Sequence, residues 1–165
     1  AQAALQVAKL VGAEVFVTSS SDEKLARARA LGADHLLNHA RVDVAREVRA
    51  LTRRRGVDVV VDSVGEATWD QSLRALARKG RLVTCGGTTG PEVTTDVRKL
   101  FWYQWSILGS TMGSDAEFRA IVELAGRGKL RPALDAVVPL ARGPEAFARL
   151  ASGAQTGKIV IEVAG

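Results

Sequence analysis

The residues best suited to chemistry stand at the ends of short apolar runs. The clearest case is Gly56 to Gly65, GVDVVVDSVG, where a valine run breaks into Asp62-Ser63-Val64-Gly65. In open α/β sheets, ligands bind where the carboxyl end of a strand gives way to small and polar residues. Two other runs end alike: Val15-Phe16-Val17 in Thr18-Ser19-Ser20-Ser21, and Arg81 to Cys85 in Gly86-Gly87-Thr88-Thr89-Gly90-Pro91. Hydroxyls and the nearby Lys24 are groups that can donate to a phosphate. Other chemistries lack their parts. Cys85 and two histidines show no zinc-ligand spacing, and no Ser/His/Asp set or carboxylate pair stands out. Neither a G-x-G-x-x-G nor a Tyr-x-x-x-Lys occurs.

The composition bounds what these residues can serve. A chain of 165 residues with 47% hydrophobic and 25% charged residues has room for one globular core. No run reaches the roughly 18 apolar residues of a membrane helix, so no membrane role is expected. A single cysteine suits a reducing compartment, and a cytoplasmic location is expected. The net charge of +5 is spread over helices, and aromatics are only 5%, which argues against a nucleic-acid partner. Arg53-Arg54-Arg55, the one cluster, falls at a helix end, where cations suit the dipole.

The elements that must hold the strand ends follow from periodicity. Ala4, Leu5, Ala8 and Val11 share a helical face that Gly12 closes. Ser20 and Glu23 form a capping-box pattern for a helix with Leu25, Ala28 and Leu31 inward. His35 to Leu37 reads as a strand, and Val44, Val48 and Leu51 as a helix face. The Val57–Val61 strand should be covered on both faces. A helix over Glu66–Ala77, a strand from Arg81, a helix over Val97–Gln104 and a strand over Trp105–Met112 follow. Ser114 and Glu117 predict a second capping box; Val137-Val138 and Ile159–Ile161 read as extended, around a helix at Ala146–Leu150. Such alternation predicts a parallel, doubly wound α/β sheet in three layers.

Five strands of a six-stranded nucleotide fold can be placed, near Phe16, Leu36, Val60, Val83 and Ile107. In the 3-2-1-4-5-6 order, the one without a counterpart is the central first strand, which carries the phosphate-binding glycine turn. The expectation is that residues 1–165 are a piece of a longer polypeptide.

Ala4-Leu5-Gln6-Val7-Ala8-Lys9, Leu31-Gly32-Ala33-Asp34, Val60-Val61-Asp62-Ser63-Val64-Gly65, Ile107-Leu108-Gly109-Ser110 and Gly157-Lys158-Ile159-Val160 occur in this order. Together they resemble the medium-chain dehydrogenase/reductase superfamily, the zinc-type alcohol dehydrogenases and NADPH:quinone reductases. The resemblance implies the Rossmann domain of a two-domain enzyme, without its first strand and glycine loop. It implies hydride transfer between a nicotinamide and an alcohol, carbonyl, enone or quinone, with any zinc held in the other domain. The fragment alone should be inactive, and the whole a homodimer or homotetramer. A catalytically silent member of the fold, acting as a binding or structural module, is the alternative.

The resemblance also implies a cofactor path. Ser19 falls where NAD-dependent members carry an acidic residue; with Ser20, Ser21 and Lys24 this resembles the NADPH-using branch, so NADP(H) is expected over NAD(H). His39 follows Asn38 where quinone reductases often carry a Tyr beside the 2′-phosphate. Ser63, Val64 and Gly65 match the turn that passes the cofactor; Gly86, Gly87 and Thr88, and then Ser110, Thr111 and Met112, match segments on the nicotinamide side.

Overall fold

The structure, a computed structural model, describes residues 2–163. Helix α1 (Gln2–Leu10) leads to strand β1 (Phe16–Ser19), α2 (Asp22–Ala30), β2 (His35–Asn38) and α3 (Val44–Leu51). Next come β3 (Val57–Asp62), α4 (Trp69–Ala75), β4 (Leu76–Thr84), α5 (Val97–Tyr103) and β5 (Ser106–Gly109). Then α6 (Asp115–Gly126), β6 (Leu134–Pro139), α7 (Gly143–Ala151) and β7 (Lys158–Glu162) complete the order. The hydrogen-bonded groups are β1-β2, β3-β4-β5 and β6-β7, and every pairing is parallel. This is the Rossmann-type α/β arrangement, with β1 and β3 each paired on one side.

Three apolar clusters hold it. Leu5, Ala28 and Ala33 pack with Val15, Val17 and Leu36, joining α1 and α2 to one face of β1-β2. Leu37, Ala45, Val48 and Ala75 gather Phe16 and Val57, so α3 spans the other face and reaches β3. Trp69, Leu73, Leu76 and Leu82 pack with Val60, Trp105 and Ile107 under β3-β4-β5.

Several expectations need correcting. Val59 and Val61 are 44% and 52% exposed, so β3 is not covered on both faces. Its Val60 face meets α4 and Val57 meets the α3 cluster, whereas no described cluster takes up Val59 and Val61. The cap of α2 is Ser21, which accepts from the Lys24 amide at 3.3 Å; Ser20 is not the cap, and Glu23 pairs with Arg27 instead. Helix α4 stops at Ala75 because Leu76, 1% exposed, turns to extended backbone and enters the core. Beyond Gly109 the chain leaves the sheet, since β4 offers no partner past Thr84; only the Ser110 amide still donates to Thr84 O, at 2.8 Å. The Ser114–Glu117 capping box on α6 is formed.

The β6-α7-β7 unit is tied back to α2. The Asp135 side chain is buried and accepts from Arg149 and from the Thr156 amide at 2.9 Å, with Arg27 at 3.6 Å. Arg149 foremost, then that amide, holds its carboxyl down at about 2.

Candidate functional site

The sequence-expected residues fall into two groups, each at the carboxyl end of paired parallel strands. The first is built on Asp62, the last residue of β3 and only 4% exposed. One carboxylate oxygen accepts from the Val64 and Gly65 amides at 2.8 and 3.1 Å. The other accepts from the Thr68 and Ser72 hydroxyls at 2.8 and 2.6 Å. Burial opposes its ionisation, but these four donors outweigh it, and the carboxyl lies below its usual value. Asp62 therefore fixes the Ser63-Val64-Gly65 turn and joins it to the start of α4.

The turn after β4 is laced onto this one. Thr89 contributes its amide and hydroxyl to Val64 O, at 2.9 and 2.8 Å, and the Thr88 hydroxyl donates to Ser63 O at 3.0 Å. The Cys85 amide donates to Asp62 O at 3.0 Å. The two backbones cross so closely that a Cβ on Gly65, whose φ is +86°, would lie 2.6 Å from Gly90 O. One on Gly86 would lie 3.0 Å from Ser63 O. Ser63, Val64, Gly65, Gly86, Gly87 and Thr88 are thus brought together, and Ser110 joins them through Thr84. Thr111 and Met112 are exposed beyond the strand, Met112 at 91%, and no hydrogen bond among the described residues ties them to the group.

On this shelf the amides of Gly86, Gly87 and Thr88 donate to no described residue, nor does the Ser63 hydroxyl. Unspent donors on small residues, aimed from strand ends, fit a ligand with phosphate or carboxamide oxygens.

The second group closes β1 and β2. The Ser19 hydroxyl accepts from the Ser21 amide at 3.2 Å, and the His39 amide donates to Ser19 O at 3.1 Å. Ser20 is exposed and its hydroxyl is unbonded among the described residues. The Lys24 ammonium donates to Gly153 O at 2.7 Å. Three residues here went unsuspected in the sequence. Asp22 accepts from Asn38 Nδ2 at 2.6 Å and pairs with Arg41 at 2.8 Å, which brings a guanidinium to the rim. Arg41 lies in the loop after β2, where no periodicity or motif marks it.

Among the described residues, no group of three His, Cys, Asp or Glu could hold a metal ion. No described helix is long and apolar enough to cross a membrane.

Residues 1–127 match the family model described as zinc-binding dehydrogenase, and the chain belongs to that family, within the medium-chain dehydrogenases/reductases. Its group is thus that of nicotinamide-type oxidoreductases, and this chain corresponds to their cofactor-binding part. A zinc-type alcohol dehydrogenase-like protein of Schizosaccharomyces pombe is 35% identical over 97% of the chain and 48% of its own length. A quinone oxidoreductase of Pseudomonas aeruginosa is 32% identical over 96% of the chain and 51% of its own length. An NAD-dependent alcohol dehydrogenase of Sulfolobus acidocaldarius is 34% identical over 97% and 46%. Among solved structures, an NAD-dependent alcohol dehydrogenase superposes with a TM-score of 0.91 at 40% identity, covering 99% of this chain and 48% of that one. The chain spans about half the length of the curated relatives it matches.

Proposed function

We propose that residues 1–165 are the cofactor-binding half of a longer, two-domain oxidoreductase. That enzyme exchanges hydride between NADP(H) and an alcohol, carbonyl, enone or quinone. The observation that carries this reading is the laced pair of turns at the ends of β3 and β4, with unspent amides at Gly86, Gly87 and Thr88. Bound there, the nicotinamide would supply the hydride chemistry, and the chain's residues would bind and orient it. A strand from the rest of the polypeptide would fill the place between β1 and β3, meeting their unpaired edges. The substrate pocket, the proton donor and any zinc lie outside residues 1–165, and the complete enzyme is a cytoplasmic homodimer or homotetramer.

The preference for NADP(H) rests on the β1 end. Ser19, Ser20 and Ser21 present hydroxyls, and the adjacent carboxylates are paired with cations, Asp22 with Arg41 and Glu23 with Arg27. A 2′-phosphate would therefore meet hydroxyls and a guanidinium, with His39 beside them. Calorimetric titration of the complete polypeptide with each cofactor tests it. NADPH should bind at least about tenfold more tightly than NADH, a difference of about 1.4 kcal/mol. Equal binding would overturn the NADP(H) choice alone, and binding of neither would overturn the whole reading. The NAD-dependent naming of relatives and the engagement of Lys24 by Gly153 make that contest a real one.

A further inference from the structure

The sheet's other end holds a cleft of about 630 Å3 lined by α3, α4 and α5, of the size that accepts a small ligand. Arg46, Arg49, Arg54 and Lys99 face it, and among the described residues none of these four forms an ion pair. Arg74 also lines it, paired with Asp43 and Asp70, and no lining residue carries a carboxylate. Tyr103 and Trp105 close one side, their rings stacked with centroids 5.1 Å apart.

Arg49 is the anchored member of the four. Arg49 donates to Arg74 O at 2.9 Å, Arg54 O at 2.9 Å and Leu76 O at 3.0 Å, tying three segments at one point. Arg53 and Arg54 both take left-handed backbone, at φ 51° and 69°, a conformation that non-glycine residues adopt only at a cost. The ladder positions of this cleft precede β3 and β5. The cofactor shelf lies past their opposite ends, roughly 17 Å away along a strand of this length.

We propose that this cleft is a second ligand site, for a nucleoside di- or triphosphate, separate from the nicotinamide cofactor. Guanidinium and ammonium groups without carboxylate partners are the natural receivers of a phosphate chain. The half-buried Tyr103–Trp105 pair on one wall offers a base an apolar, π-rich surface beside these cations. An extended nucleic acid would instead need successive platforms along a basic groove, and here the two rings stack on each other. The site stands apart from the NADP(H) reading, because it uses none of the residues at the shelf or at the β1-β2 end.

The test is calorimetry on the complete protein at about 0.15 M salt, with NADPH saturating the cofactor site so that only a second site responds. ATP should bind at one site per chain, and inorganic tripolyphosphate about tenfold more weakly, because it lacks the base. Arg46→Glu combined with Lys99→Glu, both exposed helix positions, should weaken ATP at least about tenfold, whereas Arg119→Glu, exposed on α6, should leave it unchanged. If the double reversal disturbs the circular dichroism spectrum, Arg46→Gln with Lys99→Gln replaces it and should still weaken ATP severalfold. Any of three results overturns the proposal: no ATP heat, an affinity indifferent to these variants, or tripolyphosphate binding as tightly as ATP. A single-stranded RNA that binds at this face and is not displaced by ATP would also overturn it, in favour of a nucleic-acid surface.

Discussion

The ends of β3-β4 and of β1-β2 occupy equivalent places in the sheet but are built in different ways. At β3-β4 a buried carboxylate with four donors shapes one turn, and a second turn is stitched to it by threonines and glycines. At β1-β2 the polar groups are exposed or half-exposed, and beside local contacts some of their partners come from distant segments, as when Lys24 reaches Gly153. The first end is preorganised before any ligand arrives. The second can exchange partners, and specificity between closely similar cofactors is more easily retuned there than in a locked turn.

The sharpest way to break this contrast is at Gly65. An added Cβ would lie 2.6 Å from Gly90 O on a backbone at φ +86°, so strain and collision combine. Gly65→Ala should cost about 2–4 kcal/mol in urea unfolding. Ser20→Ala at the other end should stay within about 0.5 kcal/mol. Similar losses at the two ends would show that the first is no more rigid than the second.

Next in size is Asp62→Asn, which replaces a charged acceptor of four hydrogen bonds and should cost about 2 kcal/mol at neutral pH. Because the folded carboxyl lies below its usual value, its stabilisation is fully present above the unfolded value, about 3.9, and is lost as pH falls through the folded one. Asp135, held down at about 2, loses its contribution in the same acid range, so the informative quantity is the difference between proteins. The gap between wild type and Asp62→Asn, followed by urea midpoints from about pH 6 to about pH 2, should narrow on acidification. A gap constant with pH would remove Asp62 as the charged keystone of the turn.

The β1-β2 end is probed by Lys24→Glu in the complete polypeptide. The substitution gives up the bond to Gly153 O and places a negative charge beside the serines. NADPH binding should weaken about tenfold or more while NADH changes little, a selective cost of about 1.4 kcal/mol. Equal weakening of both cofactors would mean that Lys24 serves the tie to α7 and not a phosphate.

How much of this was legible in the sequence follows the same division. The β3 end could be read from adjacent residues, because Asp62-Ser63-Val64-Gly65 is itself the turn, and strand periodicity leads straight into it. The parallel pairings of β1 with β2 and of β3 with β4 were likewise written in the alternation of apolar runs. Arg41, Gly153 and the Asp135 cluster could not be read in this way, since their contacts join segments far apart in the chain. The exposure of Val59 and Val61 was missed for a related reason: a valine run reports the capacity to be covered, not what covers it. The ending of α4 at Ala75 was hidden because Leu76 and Ala77 are good helix formers, and only the core contact of Leu76 draws them into extended backbone.

The smallest effect separates two neighbouring serines that sequence reasoning ranked in the wrong order. Ser21 has extended backbone and its hydroxyl meets the Lys24 amide, which makes it the cap, while Ser20 beside it is exposed. Ser21→Ala should cost about 1 kcal/mol. If Ser20→Ala leaves stability unchanged yet weakens NADPH, the two hydroxyls divide the work, one holding the helix and the other free for a phosphate. If Ser20→Ala instead destabilises the fold as much as Ser21→Ala, capping is shared, and the exposed hydroxyl is not spare for a ligand.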